Sequence, residues 1–377
     1  MYLKPLATKG RGAVSNASGR YETHTIHAVD DGWQVDDSTG IDDADSTELA
    51  GDVVLAPNPV RTEWRDDKSK TIITRNRSPD IHFDRSVNPY RGCEHGCVYC
   101  FARPTHTWLG HSAGLDFETR LYAKRNAAQL LKAELSKPSY QCEPIALGVN
   151  TDAYQPLERK LNITRQILQV LHDAKHPAYL ITKSSLVERD IDLLKSMAEQ
   201  NLVSVCLSIT TLDRTLARKL EPRATSPHRR LQTLEKLSNA GIPTRVSVSP
   251  IIPALNEEEI DDIVAAAANA GAAAAYAIIL RLPHELQTLF PEWLYEHYPL
   301  RAERIIKAIR SMREDKLNNS DFNHRMTGFG PRAAIIQQRF KLACKRAGIS
   351  VGRDFQLDTS QFVAPAQNGQ LSLFAGS

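Results

Sequence analysis

The chain lacks the features that would place it in a membrane or an oxidising compartment. No uninterrupted apolar run in its 377 residues approaches the roughly 20 residues of a membrane-spanning helix. The longest weakly polar stretch, Ile263 to Leu282, is broken by Asn269 and Gly271 and reads as helix, turn and strand. The opening Met1-Tyr2-Leu3-Lys4-Pro5 has no apolar core of signal-peptide type. The expected location is the cytoplasm, with no membrane contact. Cysteine is also scarce. Of six, Cys142, Cys206 and Cys344 are scattered, whereas Cys93, Cys97 and Cys100 fall within eight residues. In a reducing compartment such a cluster argues for metal rather than disulfides.

Strong net charge is missing as well, at +3, but the charge is uneven. Residues 1–60 carry a net −6, with Asp30-Asp31, Asp36-Asp37 and Asp42-Asp43, which leaves +9 for the remainder. A basic remainder fits a polyanionic partner such as a nucleic acid. The first 60 residues show few apolar residues at any period and read as an acidic, disordered segment. Ordered structure is expected to begin near Thr62.

What is present from Val87 to Leu282 is an alternation of strand and helix patterns. Ile145–Val149, Ala178–Ile181, Val203–Ile209, Arg245–Val248 and Ala275–Leu280 are short apolar runs of the kind buried parallel strands show. Between them lie helical stripes: Ile163, Ile167, Leu168 and Leu171, capped by Asn162 or Thr164; Ile191, Leu194 and Met197; and Leu231, Leu234 and Leu237, opened by Ser226-Pro227 and stopped by Gly241. Asn256 is placed to cap a further helix that ends at Gly271. With an early strand near Val87–Tyr90, this makes about six βα units and a parallel sheet. Pattern alone leaves a partial barrel and an open doubly wound sheet equally available. After Pro299 the pattern turns helical, with Ile305, Ile306, Ile309 and Met312 on one stripe and Ile335, Ile336, Phe340 and Ala343 on another. The expected organisation is an N-terminal segment 1–60, an α/β domain 61–298, a helical extension 299–358 and a flexible tail 359–377.

The cysteine segment reads Asn88-Pro89-Tyr90-Arg91-Gly92-Cys93-Glu94-His95-Gly96-Cys97-Val98-Tyr99-Cys100-Phe101, a C-x3-C-x2-C spacing. Gly92 and Gly96 allow tight turns, so three thiolates can converge on one small object. Three cysteines do not complete a tetrahedral zinc site, although His95 or a distant residue could add a fourth ligand. On a four-iron cubane, three thiolates leave one iron open to a substrate or cofactor.

The spacing, with an aromatic residue before the last cysteine and βα repeats downstream, resembles the radical S-adenosylmethionine (SAM) superfamily. More narrowly, the chain is similar to the bacterial group related to spore photoproduct lyase. The phrases that carry this are Ser86–Cys93, Asn150-Thr151-Asp152-Ala153-Tyr154-Gln155-Pro156, Ile181-Thr182-Lys183-Ser184 and Leu220-Glu221-Pro222-Arg223. The resemblance implies an α/β fold with a partial (β/α)6 radical SAM barrel, a [4Fe–4S] cluster on Cys93, Cys97 and Cys100, and reductive cleavage of SAM to a deoxyadenosyl radical. It also implies an electron donor such as flavodoxin or ferredoxin. By position it assigns Tyr99 to adenine through its backbone, Thr151 and Asp152 to the methionyl ammonium, Lys183 to the carboxylate and Ser208 to the ribose. Glu221 and Arg223 are expected to pair beside the site. Spore photoproduct lyase has a cysteine hydrogen donor before its threonine-serine-aspartate segment and a tyrosine after the cluster; here those positions are Val149 and Phe101. True lyase activity is therefore not expected. Arg103, His106, Trp108 and His111 follow the cluster loop and could clamp a nucleobase.

Gln370-Leu371-Ser372-Leu373-Phe374 resembles the linear motif by which bacterial repair and replication proteins dock on the DNA polymerase sliding clamp, with apolar anchors offered to a preformed cleft. The combined expectation is a radical SAM enzyme recruited to DNA for repair or nucleic-acid modification. Two other readings are radical modification of RNA, a peptide or a small molecule, and a non-catalytic iron–sulfur clamp partner that senses redox state.

Overall fold

The computed structural model of the chain describes residues 8–22, 60–352 and 356–366, so the motif at Gln370–Phe374 lies outside the described residues. Strands form at β1 (Glu63–Asp66), β2 (Ile73–Arg75), β3 (Arg85–Val87), β4 (Tyr90–Arg91), β5 (Arg120–Ala123), β6 (Ile145–Leu147), β7 (Ala178–Thr182), β8 (Val203–Ser208), β9 (Thr244–Ile251), β10 (Ala274–Ile279) and β11 (Ser350–Val351). The main sheet runs β11-β10-β9-β8-β7-β6-β3-β2, and a small one runs β1-β5-β4. From β3 through β6, β7, β8, β9 and β10 every neighbour is parallel, which is the expected (β/α)6 order. β2 joins antiparallel beside β3, and β11 parallel beside β10.

Alternation along the strands explains how a sheet buried on both faces can still hold a site. On β8, Val203, Val205 and Leu207 join the main apolar core, while Ser204, Cys206 and Ser208 do not. β9 repeats this, with Val246 and Val248 in the core and Arg245, Ser247 and Ser249 on the other face. Residues from β7, β8, β9 and β10 line one cavity together with His82 and Phe83, so the sheet curls around its small, polar face.

Several local expectations need correction. Asn162 opens the helix Ile163–Asp173, but its side chain does not cap it; the buried Glu158 carboxylate accepts from the Ile163 and Thr164 amides instead. Asn256 does not cap the helix Ile260–Asn269 either. Its amide ties Ile252, Thr210 and Pro250 together. Ile335 points to solvent, while Ile336, Phe340 and Ala343 are buried. The helical extension starts at Leu286, ahead of Pro299, because Pro299 only opens the second helix of a pair, Leu286–His297 and Pro299–Arg310. That pair packs Leu286, Phe290, Trp293, Ile305 and Ile309 into a second apolar core shared with Cys97, Val98 and Tyr99.

The N-terminal segment also departs from expectation. Residues 11–15 are buried, although nothing in their apolar spacing announces it. Their order comes from backbone amides that bond to the α/β domain, which hydropathy patterns do not register. No helix among the described residues is long and apolar enough to cross a membrane.

Candidate active site

The cysteine loop leaves β4 and is held on all sides. Gly92 and Gly96 have φ of +74° and +68°, which glycine adopts without strain. A Cβ at Gly92 would lie 2.7 Å from Leu121, and one at Gly96 2.7 Å from the Glu118 carboxylate, so the loop is also packed too tightly for side chains there. The Cys93 amide donates to the Phe117 carbonyl (2.9 Å), and Val98 N to the Leu220 carbonyl (3.0 Å). Arg223 N donates to the His95 carbonyl (3.2 Å), and the Gln155 amide clamps Glu94 N and the Gly92 carbonyl. Arg103 is fully buried and spends its guanidinium on the carbonyls of Gly96, Cys97, Ala113 and Gly114 and on the Glu118 carboxylate. His106 is buried too, its Nε2 on the Arg120 carbonyl. Neither can reach a base, which corrects the expectation of a clamp built on them. Trp108 is exposed and donates to the Tyr21 hydroxyl, and His111 pairs with Tyr122.

Cys93, Cys97 and Cys100 are free thiols that line one wall of a cavity of about 260 Å³. Burial pushes all three thiols up, so in the protein alone they stay neutral. Among the described residues no three His, Cys, Asp or Glu side chains converge closely enough for a single ion. His95 does not turn to the thiols; its Nδ1 lies 3.3 Å from the Asp152 carboxylate. Three thiols spread over one cavity wall suit a multi-iron cluster better than one zinc ion.

The other expected residues, Tyr99, Thr151, Asp152, Lys183 and Ser208, line the same cavity. Their polar atoms are not equally available. Asp152 accepts from Thr182 Oγ1 (2.7 Å), the Tyr154 amide (2.8 Å) and the Lys183 amide (2.7 Å), besides facing His95. Burial alone would raise its pKa, but His95, the Lys183 amide and Thr182 outweigh it and hold the carboxyl down to about 2. Its four acceptor directions are in use. Thr151 Oγ1 donates to the Tyr90 carbonyl (2.9 Å). Lys183 is half-buried, its ammonium 5.8 Å from the centre of the Tyr99 ring. The Tyr99 hydroxyl is buried and donates to Glu221. The expected Glu221–Arg223 pair does not form: Glu221 pairs with the buried Arg230, while Arg223 pairs with Glu94.

Sequence reasoning missed much of the cavity. His82, Phe83, Ser249, Tyr276, Arg281 and Met326 line it. The Ser249 hydroxyl is buried with no hydrogen-bond partner among the described residues. Phe101 is half-exposed at the cavity, with the Arg281 guanidinium 5.9 Å from its ring centre. Val149 lines the cavity too, so the position of the lyase's hydrogen donor faces the site but carries no thiol. The alternation of β9 and β10 was the available signal for Ser249 and Tyr276; the loop residues had none.

Residues 87–267 match the radical SAM superfamily. An uncharacterized protein of Mycobacterium tuberculosis (strain H37Rv) is 37% identical over 232 residues, which cover 61% of this chain and 68% of that protein. The chain belongs to the radical SAM superfamily. A second relative of this radical SAM protein, from Methanocaldococcus jannaschii, is 31% identical over 192 residues, covering 51% of the chain and 69% of the relative. Among solved structures, a doubly substituted spore photoproduct lyase with bound AdoMet and dinucleoside spore photoproduct superposes with a TM-score of 0.50 at 13% identity, covering 76% and 80% of the two chains. That likeness is one of fold. The radical SAM enzyme's cofactors are a [4Fe–4S] cluster and SAM, which when bound supply one-electron cleavage of SAM to a carbon radical. Three thiols and polar strand-end residues lining one cavity fit that pair.

Proposed function

We propose that this radical SAM enzyme holds its cluster on Cys93, Cys97 and Cys100 and acts on a nucleic acid, in DNA repair or modification. The observation that carries the substrate class is the half-exposed Phe101 with Arg281 beside it, on the cavity that the three thiols line. An aromatic face with an adjacent guanidinium stacks a base and attracts its phosphate. A cavity of about 260 Å³ does not admit a duplex, so a base must be turned out of the stack to reach it. The basic remainder of the chain favours the approach of a polyanion.

Within the site, the Lys183 ammonium suits the methionyl carboxylate of SAM, and Ser208 and Ser249 offer hydroxyls from adjacent strands. Tyr99 borders the adenine side. Asp152 serves by fixing the Lys183 backbone and His95 rather than by taking the methionyl ammonium directly, since its oxygens are already engaged. Thr151 likewise braces the loop through Tyr90. Gln370, Leu371, Ser372, Leu373 and Phe374 recruit the enzyme to the sliding clamp, and a small reductant such as flavodoxin or ferredoxin supplies the electron.

The test is anaerobic reconstitution, reduction with dithionite and measurement of deoxyadenosine release from SAM, with and without ultraviolet-irradiated DNA. Release that rises with irradiated DNA supports the reading. Release indifferent to every nucleic acid offered refutes the substrate class and leaves the radical chemistry intact. Clamp recruitment is tested separately by deleting residues 370–374; undiminished co-purification with the clamp refutes it.

A further inference from the structure

Outside the cavity, a set of buried polar contacts joins the N-terminal segment to the back of the cysteine loop. The Glu118 carboxylate, itself fully buried, accepts from Gly12 N (2.9 Å) and Ala13 N (2.8 Å) on one side and from Arg103 (2.5 Å) on the other. Arg103 in turn holds the carbonyls of Gly96 and Cys97. Arg11 donates to the Glu118 carbonyl (3.1 Å). One carboxylate is therefore shared between the N-terminal segment and the loop that carries the thiols.

Steric fit points to the same junction. A Cβ at Gly12 would sit 1.7 Å from the Gly96 oxygen, and a Cβ at Gly114 2.1 Å from the Ser15 oxygen. Two backbones in contact leave no room for a side chain, so glycine is required on both sides. Val14 packs in the same apolar cluster as Cys97, Val98 and Tyr99. Farther along, Ser15 Oγ donates to Glu292 (2.5 Å), Asn16 exchanges two hydrogen bonds with Asp116, and Arg20 makes a two-pronged contact with Glu285. The segment thus spans from the cysteine loop to the helix Leu286–His297. None of its described residues lines the cavity, so its contacts shape the loop without touching what the loop holds.

We propose that Arg11–Ser15, fastened by Glu118, is a clasp that keeps the cysteine loop in its metal-ready shape, and that Glu118 is a positioning residue for cluster retention. This rests on Cys93, Cys97 and Cys100 being the ligands. Phe117, Leu220 and Gln155 fasten other points of the loop, whereas the Gly96–Cys97 turn between two of the thiols is held from behind by Arg103, which Glu118 in turn holds. The shared carboxylate and the Gly12–Gly96 contact close that turn from the N-terminal side.

The experiment compares wild type, Glu118→Gln, Gly12→Ala and Cys93→Ala, each reconstituted anaerobically with iron and sulfide. Iron release to an iron(II) chelator is followed by absorbance, and thermal unfolding of each apo-protein is measured alongside. Losing hydrogen bonds to a buried carboxylate should speed release about tenfold or more in Glu118→Gln and Gly12→Ala. Both changes also lower the apo-protein unfolding temperature, because Arg103 loses its buried partner or the Gly96 oxygen meets a methyl group, so release is compared with that from Glu188→Gln, whose carboxylate is held by Arg229, Thr233 and Lys236 rather than by the cysteine loop. Release at the wild-type rate in both Glu118→Gln and Gly12→Ala overturns the proposal. Release from Glu188→Gln as fast as from those two also overturns it. Should Glu118→Gln fail to fold, Gly12→Ala decides alone, since Gly12 lies outside both sheets. Cys93→Ala tests the underlying reading independently: a full, stable cluster in that variant refutes the ligand set, whatever the clasp variants show.

Discussion

Replacing Arg230 with methionine should be among the most damaging single changes that leave the cysteine loop's own sequence intact. Glu221 and Arg230 are each almost wholly buried and face one another beneath the loop. Glu221 also accepts from the Tyr99 and Thr210 hydroxyls, while Arg230 donates to the carbonyls of Thr225 (2.7 Å) and Ser208 (2.8 Å). Burial by itself would raise the Glu221 pKa, but Arg230, Lys183 and the two hydroxyls bring it from its ordinary 4.5 down to about 2. Such a shift corresponds to about 3 kcal/mol of stability. Because the folded value lies below the unfolded one, that stability is fully present above about pH 4.5 and is lost as pH falls toward about 2. Arg230→Met strands the carboxylate and should cost about 3–5 kcal/mol at neutral pH. Adding Glu221→Gln should recover a large part, because no buried charge then remains unpaired. The assay is urea unfolding of the apo-proteins under reducing conditions, followed by far-ultraviolet circular dichroism. A loss below about 1 kcal/mol in Arg230→Met, or a double variant no more stable than the single, would refute the reasoning.

Asp152→Asn should weaken SAM binding, measured by anaerobic equilibrium dialysis, by about tenfold or more, because an amide cannot accept from Lys183 N, Thr182 and His95 together; unchanged binding would show that the Lys183 backbone needs no such brace. Phe101→Ala should cost about 1–3 kcal/mol in binding of a labelled single-stranded oligonucleotide, read by fluorescence anisotropy, with iron content unchanged; equal affinity would remove the stacking platform. Burial holds His106 neutral, its pKa lowered to about 4, so the fold should lose stability as pH drops from about 6.5 toward 4. In His106→Phe that part of the pH dependence of the thermal midpoint should flatten, and an unaltered profile would assign it to other groups.

Much of the fold was legible because its signals are local. Apolar runs such as Val203–Leu207, separated by helical stripes and turn glycines, dictate a parallel αβ alternation before any contact is known. The cysteine spacing was equally plain, since ligands for one object must be near in sequence or explicitly paired. Partner choice was less legible. Glu221 was expected beside Arg223, two residues away, but the loop turns Arg223 out to Glu94 and brings Arg230 up from the next helix. Arg103 and His106 looked like a basic clamp by composition, yet burial turns Arg103 into a carbonyl-binding strut and His106 into a neutral core side chain.

By itself, then, the sequence determined the α/β alternation, the three-thiol loop and the residue types at the strand ends, because backbone periodicity and turn chemistry act over a few residues. Tertiary structure alone decided which of those groups remain available. It engages the Asp152 oxygens, aligns Phe101 with Arg281 and draws a polar N-terminal segment onto Glu118. These outcomes depend on contacts between residues as far apart as Gly12 and Glu118, and no local pattern encodes where a distant carboxylate will come to rest.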